Sequence, residues 1–194
     1  MTVYTAITGE KDKPRDDIKV FTGDNLFINP RYEARMYKTL FHYFIDDEYS
    51  IWVDGNVFLK QPEQQYYELL GNNDIAVLEH AFIPTIQKEI KVCRKMGKGE
   101  PEKLKEQEGA YKFQQENHAQ TCMVIRRNTP EMRQLCETWW AHICRYSVRD
   151  QVSFPFVFQG KATYIENDNH DDNEYYKREP HNYEDRREET TGEN

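Results

Sequence analysis

The sequence has few cysteines and no long apolar run, and these two absences exclude several classes of protein. Its four cysteines, Cys93, Cys122, Cys136 and Cys144, form no CxxC pair, so we expect free thiols rather than a zinc ribbon or a disulfide framework. No segment approaches the ~20 apolar residues of a membrane span. The N-terminus lacks a charged start followed by an apolar stretch, so we expect no signal peptide and a cytoplasmic location.

Sequence motifs of common nucleotide-binding and hydrolytic enzymes are also missing. The chain contains no Walker loop, no GxGxxG fingerprint and no G-x-S-x-G elbow, which argues against kinases, dehydrogenases and ordinary hydrolases. The 34 Asp and Glu residues outnumber the 26 Lys and Arg residues and give a net charge of -8. Because nucleic-acid binding needs clustered positive charge, we expect no strong affinity for nucleic acid.

The chain does have a high aromatic content and a length that suits one domain. Its 194 residues are 38% hydrophobic and 13% aromatic, with 13 Tyr and 10 Phe, and a disordered chain rarely carries so many aromatic side chains. We therefore expect one folded domain with a polar surface over residues 1–183. The acidic residues 184–194 are predicted to form a disordered tail.

Short apolar segments alternate with helical patterns along the chain. Strands are predicted at residues 3–8, 18–22, 49–54, 57–59, 74–78, 121–125 and 162–165, and helices at residues 30–44, 63–70, 85–95 and 131–146. The charged residues 96–108 indicate a surface loop, and residues 152–158 fit a helix or a strand. This alternation predicts an α/β layered domain, in which ligands gather at the carboxyl ends of strands.

The first candidate site is Asp54-Gly55-Asn56, at the end of a predicted strand. A carboxylate followed two residues later by an amide oxygen can bind a divalent cation, and such hard oxygen ligands suit Mg²⁺ or Mn²⁺. The glycine lets the backbone turn tightly between the two ligands. Asp-Gly is also an ordinary turn signal, so a simple turn is the alternative.

The second candidate is the basic face formed by Arg31, Arg35 and Lys38. Their spacing of four and three places them on one side of the predicted helix, and arginine can hold phosphate oxygens in two-point contacts. The alternative is a solvated helix face. Because this helix directly precedes the strand that ends at Asp54, a phosphate-neutralising group and a metal carboxylate would lie near one pocket.

The third candidate is Arg149-Asp150-Gln151, a polar group between an aromatic helix and an apolar segment. Asp150 could accept a hydroxyl proton or bind sugar hydroxyls, and the alternative is a helix cap paired with Arg149.

The histidines differ in where the predicted elements place them. His80 follows Glu79 at a strand end, where a ligand would bind. The late histidines His170 and His181 could close a metal site by folding back over the ligand, or could be exposed to solvent. The other three, His42, His118 and His142, are expected to pack or to cap helices.

These segments resemble the glycosyltransferase-like domain found in plant turgor-regulation and seed-mucilage proteins and in many bacterial proteins. The resemblance extends over about residues 3–164, and its two most specific motifs are residues 49–55 and residues 149–156. Four further segments fall in the family's order, namely residues 35–38, 79–80, 124–127 and 139–140.

The resemblance implies a GT-A-like fold, with a Rossmann-like mixed and mostly parallel sheet flanked by helices. It implies a glycosyltransferase that moves a sugar from a nucleotide-sugar donor to an acceptor hydroxyl with Mn²⁺ or Mg²⁺. The acceptor would be a glycan, a lipid, a protein or a modified base. The implied catalytic residues are Asp150, Gln151 and His80, the implied donor-binding residues are Thr8, Arg31, Arg35, Lys38, Asp54 and Arg149, and the implied metal ligands are Asp54, Asn56 and His181.

Two other functions compete with this one. A noncatalytic nucleotide- or sugar-binding module would keep the fold and lose the chemistry, and Asn56 favours it because a DxD motif has a second carboxylate there. A hydrolase of an amide or a lipid is the third hypothesis, and the sequence offers it neither a nucleophile nor a zinc-ligand spacing.

Overall fold

A computed structural model describes residues 1–111 and 117–181, so the predicted tail at residues 184–194 lies outside the described residues. The strands are β1 (Thr2–Ile7), β2 (Lys19–Thr22), β3 (Tyr49–Val53), β4 (Val57–Leu59), β5 (Ile75–Glu79), β6 (Ala119–Arg127), β7 (Thr163–Ile165) and β8 (Tyr176–Arg178). The helices are α1 (Pro30–Thr39), α2 (Glu63–Glu68), α3 (Ile86–Lys95), α4 (Pro101–Ala110), α5 (Pro130–Arg145) and α6 (Asp150–Val157).

Six strands form one mixed sheet in the order β2-β1-β3-β6-β5-β7. Strand β1 pairs in parallel with β2 and β3, and β5 pairs in parallel with β7. Strand β6 runs antiparallel to both of its neighbours, β3 and β5. The carboxyl ends of the other five strands therefore share one edge of the sheet, and β6 begins at that edge. Strands β4 and β8 form a separate antiparallel pair.

Helices begin where the sequence supplies caps. The Asn29 side chain accepts a hydrogen bond from the backbone N–H of Arg31, and Pro30 takes the first position of α1. Helix α5 repeats the arrangement, since the Thr129 hydroxyl accepts from the N–H of Met132 and a proline follows the cap. These caps confirm the predicted starts of both helices and fix the direction in which α1 leaves the sheet edge.

Two apolar cores cover the two faces of the sheet. One contains side chains of β1, β3 and β6 together with those of α1, α5 and α6, including Tyr4, Trp52, Val124, Trp139 and Phe154. The other packs α2 and β8 on the opposite face, and it includes Val53, Tyr66, Leu78, Met123 and Tyr176. Burial on both faces holds the strand ends rigidly, so polar side chains at the shared edge have fixed positions.

The structure corrects the sequence analysis at two places, and it decides between helix and strand at a third. The predicted loop at residues 96–108 contains α4, whose buried contacts are supplied by Leu104 and Gln107 on an otherwise polar helix. Strand β8 was not predicted, because it is only three residues long and its outward positions are polar. The segment 152–158 is helical through Val157, as part of α6, and Phe158 is the C-cap. No helix in the described ranges is long and apolar enough to cross a membrane.

Candidate active site

The polar side chains predicted at strand ends do meet at the shared edge of the sheet. Asp54 follows β3, and its N–H donates to the carbonyl of Cys122 in β6 at 2.8 Å. His80 follows β5 in the same way, and its N–H donates to the carbonyl of His118 at 2.8 Å. The start of β6 thus lies between the two predicted polar strand ends and contributes residues of its own.

Asp150 is the most deeply buried carboxylate of this edge, with 1% of its surface exposed. Its Oδ2 accepts hydrogen bonds from Lys38 Nζ at 2.5 Å and from the Thr121 hydroxyl at 2.7 Å. Its Oδ1 lies 2.9 Å from Arg35 Nε. The Trp139 indole N–H donates to the Asp150 carbonyl at 3.1 Å, which fixes the first turn of α6. Asp150 therefore anchors α1, β6 and α5 through hydrogen bonds to Oδ2 and to its carbonyl and through an ion pair at Oδ1.

Asp54 faces the same lysine but is far more accessible. Its Oδ1 accepts a hydrogen bond from the Trp52 indole N–H at 3.0 Å and lies 3.8 Å from Lys38 Nζ. One third of the Asp54 side chain (33%) is exposed, whereas the Lys38 side chain is fully buried. Among the described residues Oδ2 of Asp54 makes no hydrogen bond, so this oxygen is the one that a ligand can reach.

Opposite charges keep both carboxylates ionised despite their surroundings. Burial raises the pKa of Asp150, but the charges of Arg35 and Lys38 outweigh it and hold that pKa well below its usual range. For Asp54 too, burial raises the pKa and the charges of Lys38 and Arg35 bring it below the ordinary value. Burial lowers the pKa of Lys38, and the two carboxylates oppose that shift.

The loop between β1 and β2 adds two residues that the sequence did not single out, Lys11 and Asp12. Burial lowers the pKa of Lys11, the carboxylates of Asp12 and Asp54 oppose this shift, and the charges of Arg31 and Arg35 add to it. Lys11 therefore lies within electrostatic reach of both the acidic strand end and the basic face of α1. A long charged side chain in a polar loop carries no sequence signal that distinguishes it.

The C-terminal part of the domain folds back over the Asp54-Gly55-Asn56 turn. The Asn56 amide nitrogen donates to the Glu179 carbonyl at 2.7 Å, and the Glu179 N–H donates to the Asn56 carbonyl at 2.8 Å. His181 Nδ1 then lies 2.5 Å from Asp12 Oδ1. A Cβ on Gly55 would come within 2.7 Å of Asp12 Oδ2, so glycine allows this close approach. Asp12 and His181 thus pack against the turn that contains Asp54 and Asn56, but the donor atoms of Asp54, Asp12 and His181 do not all lie within 4.8 Å of one another.

The remaining donor-binding candidates occupy different positions along α1. Arg31 is exposed in the first turn, and only 19% of the Arg35 side chain is exposed. The Thr8 hydroxyl donates to the Pro30 carbonyl at 2.8 Å and so holds the start of α1 against β1. The basic face therefore runs from solvent at Arg31 to the buried Lys38.

Arg149 belongs to a second polar cluster, on the other side of Asp150. Its Nη2 lies 2.8 Å from Glu89 Oε1 and donates to Gln151 Oε1 at 2.7 Å. The Gln151 amide donates to the Ala119 carbonyl at 3.2 Å.

Asp150 does not cap α6 in a pair with Arg149, since Lys38, Arg35 and Thr121 take both of its oxygens. Glu89, on α3, was missed because an acidic residue within an amphipathic helix suggests only a solvated position.

Two histidines complete this second cluster. His80 Nδ1 accepts from the N–H groups of Phe82 and Ile83 at 3.3 Å each, and burial, together with the neighbouring His118, lowers the pKa of His80 to about 4. His118 is 1% exposed, as the expected packing role requires. Its Nε2 nevertheless lies 3.7 Å from Glu89 Oε2. His170 lies beside His80, with 5.6 Å between the ring centroids.

Several solved glycosyltransferase structures are similar to this chain. The apo WbbM bifunctional glycosyltransferase has a TM-score of 0.49 and 12% identity over 77% of this chain and 28% of its own. The galactosyltransferase LgtC, in complex with donor and acceptor sugar analogs, has a TM-score of 0.40 and 14% identity over 71% of this chain and 45% of its own. Mouse xyloside xylosyltransferase 1 has a TM-score of 0.42 and 14% identity over 77% of this chain and 62% of its own. The chain therefore spans less than two thirds of each of these proteins.

A search of curated proteins found no match. A family model, by contrast, matches residues 18–174, which is most of the chain and includes Asp54, Asp150 and every strand from β2 to β7. The sheet order and this match confirm the predicted GT-A-like class, a mixed and mostly parallel sheet flanked by helices. The resemblance stated from the two sequence motifs is confirmed as well: the chain belongs to the TOD1/MUCI70 glycosyltransferase-like domain family.

Proposed function

We propose that this domain transfers a sugar from a nucleotide-sugar donor to an acceptor hydroxyl with the help of a divalent metal ion. The observation that carries the proposal is the state of Asp54, an ionised and accessible carboxylate at the carboxyl edge of the sheet. The Trp52 indole fixes its orientation. Open α/β sheets bind ligands at this edge, and the family membership favours a sugar-transfer ligand.

The basic face of α1 would neutralise the donor diphosphate. Arg31 and Arg35 are accessible enough to contact phosphate oxygens, and their guanidinium forks suit that contact. Lys38 is fully buried and does not reach a ligand. Its charge still acts on the leaving diphosphate through the low-dielectric interior, where a fixed positive charge stabilises developing negative charge.

The residues around the Asp54-Gly55-Asn56 turn offer the ligand types of a hard divalent ion, and the ion would have to draw Asp54, Asp12 and His181 closer together than they now lie. Asp54 offers a free carboxylate oxygen, Asn56 an amide oxygen, and the pair of His181 and Asp12 packs against the same turn. Oxygen donors with one imidazole suit Mn²⁺ or Mg²⁺. When bound, such an ion would neutralise the diphosphate as the sugar–phosphate bond breaks. Asp54, Asn56 and His181 would hold it.

Asp150 is better suited to positioning than to proton transfer. A carboxylate whose pKa is held well below its usual range is a weak base at neutral pH. Its three contacts keep Lys38 and Arg35 pointing at the site. Gln151 and His80 lie at the same edge beyond Asp150, and we assign to them the contacts with the sugar or the acceptor. Arg149 supports Gln151 through its hydrogen bond.

A noncatalytic binding module is the second candidate, and one observation favours it. The amide nitrogen of Asn56 is committed to the Glu179 carbonyl, so the position that carries a second carboxylate in a DxD motif here ties down the C-terminal segment. Such a module would bind the nucleotide and leave the sugar bond intact. Binding and turnover must therefore be measured separately.

The test is a panel of nucleotide-sugars and nucleoside diphosphates, measured by thermal shift with and without Mn²⁺. A ligand that binds only the folded chain raises the melting temperature, by an amount set by its concentration relative to Kd. We expect one nucleoside diphosphate to give a Mn²⁺-dependent shift that Asp54→Ala abolishes. Asp46→Ala, at an exposed position before β3, is the matched control and should keep the shift.

Release of the nucleoside diphosphate from the matching nucleotide-sugar then separates the two candidates. Slow Mn²⁺-dependent hydrolysis, lost in Asp54→Ala, supports the transferase. Binding without any turnover supports the noncatalytic module. If no nucleotide shifts the melting temperature, the transferase and a nucleotide-binding module are both wrong, and only a module that binds sugar alone is left.

A further inference from the structure

We propose that His80, Glu89 and His118 form a zinc site, separate from the Asp54 turn but sharing His80 with the acceptor side of the proposed sugar transfer. The three residues come from the end of β5, from α3 and from the segment before β6. One donor atom from each lies within 4.8 Å of the other two. Within the described residues no other group of three His, Cys, Asp or Glu side chains meets that criterion.

His118 carries the first part of the argument. It is 1% exposed, and among the residues that the structure describes neither of its ring nitrogens has a hydrogen-bond partner. A buried imidazole with two unsatisfied nitrogens is costly unless something binds them. Its ring faces the imidazole of His80 and the carboxylate of Glu89, and both of these groups are metal ligands.

The distance to Glu89 supports a shared ion. His118 Nε2 and Glu89 Oε2 are 3.7 Å apart, which is too long for a hydrogen bond. Two ligands about 2.1 Å from a tetrahedral zinc lie roughly 3.4 Å from each other. The observed separation is therefore close to that of two ligands on one ion.

The other oxygen of Glu89 is already held in place. Oε1 lies 2.8 Å from Arg149 Nη2 and accepts from the Cys93 thiol at 3.1 Å. These contacts leave Oε2 turned toward the histidines. Partners of this kind orient a ligating carboxylate, and metal sites depend on them.

His80 would be the third ligand after a small adjustment. Its ring lies over that of His118, with 5.2 Å between centroids and an interplanar angle of 19°. Its Nδ1 now accepts two N–H groups at 3.3 Å. These contacts are long and lie near the surface, so water can replace them when the ring turns to the metal. Two histidines and a glutamate leave a fourth position open for water or a ligand oxygen, as in many catalytic zinc sites.

The experiment uses the full chain without a purification tag. The protein is stripped with a chelator, and Zn²⁺ is titrated against a chromophoric competitor. We expect one Zn²⁺ per chain, with a dissociation constant of about 1 µM or tighter. His118→Gln and Glu89→Gln should each weaken binding by about 100-fold or more, since loss of a supporting residue alone costs 10–100-fold at many sites.

Two controls give the result its meaning. His42→Gln removes a histidine that faces a single carboxylate, Glu137 at 3.3 Å, and should bind zinc like the wild type. Asp54→Ala should also keep zinc binding, because its site lies elsewhere on the edge. Loss of zinc binding in Asp54→Ala would overturn the assignment to this cluster, and this result does not depend on whether a nucleotide-sugar binds.

Cobalt substitution of the wild-type protein covers the case in which the variants fail to fold. A site with two imidazoles, one carboxylate and one open position should give Co²⁺ the intense visible absorption of tetrahedral coordination. Stoichiometry far below one, no saturable cobalt spectrum, or unchanged affinity in folded His118→Gln and Glu89→Gln would each refute the proposal.

Discussion

The buried ion pair of Lys38 and Asp150 makes the sharpest prediction about stability. Asp150→Asn keeps the shape of the side chain and removes its charge. The Lys38 ammonium, which is fully buried, would then lose its closest carboxylate, and Arg35 would lose its partner at 2.9 Å. A buried ammonium that keeps only the Asp54 carboxylate, 3.8 Å away and partly exposed, is costly because the protein interior cannot replace its hydration.

The expected cost is about 3–5 kcal/mol in the free energy of unfolding, the range found when one partner of a buried pair is removed. For a domain of this size each kcal/mol lowers Tm by roughly 2–4 °C, so the shift should be about 6–20 °C. Asp74→Asn is a matched control, because Asp74 pairs with Arg127 at 2.9 Å while both side chains are about one third exposed. That change should cost about 1 kcal/mol or less.

Urea unfolding followed by tryptophan fluorescence measures both variants, and the double variant Lys38→Met/Asp150→Asn tests the cause. If the unpaired ammonium causes the loss, removing it should restore part of the stability, so the double variant should unfold at higher urea than Asp150→Asn alone. A cost below about 1 kcal/mol for Asp150→Asn, or simple additivity in the double variant, would show that the pair is not coupled as the structure indicates.

Four further changes give distinct outcomes. Gly109→Ala, inside α4 with open space around the new Cβ, should stabilise the fold by about 0.5–1 kcal/mol in urea unfolding. Gly99→Ala should instead destabilise it by more than about 1 kcal/mol, because the residue has φ +82° and the Cβ would come within 2.7 Å of a side-chain oxygen; equal effects of the two would contradict the structure. In metal-free protein the pKa of His80 is about 4 when folded and 6.5 in the ordinary state, so the unfolded chain binds more protons between these values and stability falls as pH drops through that window. His80→Asn should flatten this slope in unfolding curves near pH 5 and near pH 7, and an unchanged slope would exclude His80 as its source. Trp52→Phe removes the indole N–H that fixes Asp54, and we expect weaker Mn²⁺-dependent nucleotide binding in the thermal-shift assay with the fold retained; unaltered binding would show that the indole does not position the carboxylate.

The sequence predicted the elements whose signals are local. The helical pattern that begins at residue 30 predicted α1, and apolar segments followed by polar residues predicted β3 and β5. Because strand ends share an edge in such a sheet, the sequence predicted that Asp54 and His80 lie at the edge where the structure has them. Their chemical roles stay proposals.

The contacts that assemble the site could not be predicted, because they join distant parts of the chain. Lys38 was expected to face a diphosphate, yet it is buried against Asp150, 112 residues away in sequence. Asp12 belongs to the site through its contacts with His181 and Gly55, which are both distant from it in the sequence. The cluster of His80, Glu89 and His118 has no metal-binding spacing either, since its members lie on three separate elements. Helix α4 was missed because Leu104 is its one buried apolar side chain among the described residues.

The same long-range pairing has a consequence for how the chain folds. Strand β3 needs β6 at its side, and the lysine of α1 needs the carboxylate of α6, so the first half of the chain contains a buried charge and an open strand edge without their partners. Contacts between distant segments require large loops to close first, which makes folding slow. An N-terminal fragment that ends before β6 should therefore aggregate or remain unfolded, and the site should form only in the same cooperative step that completes the sheet.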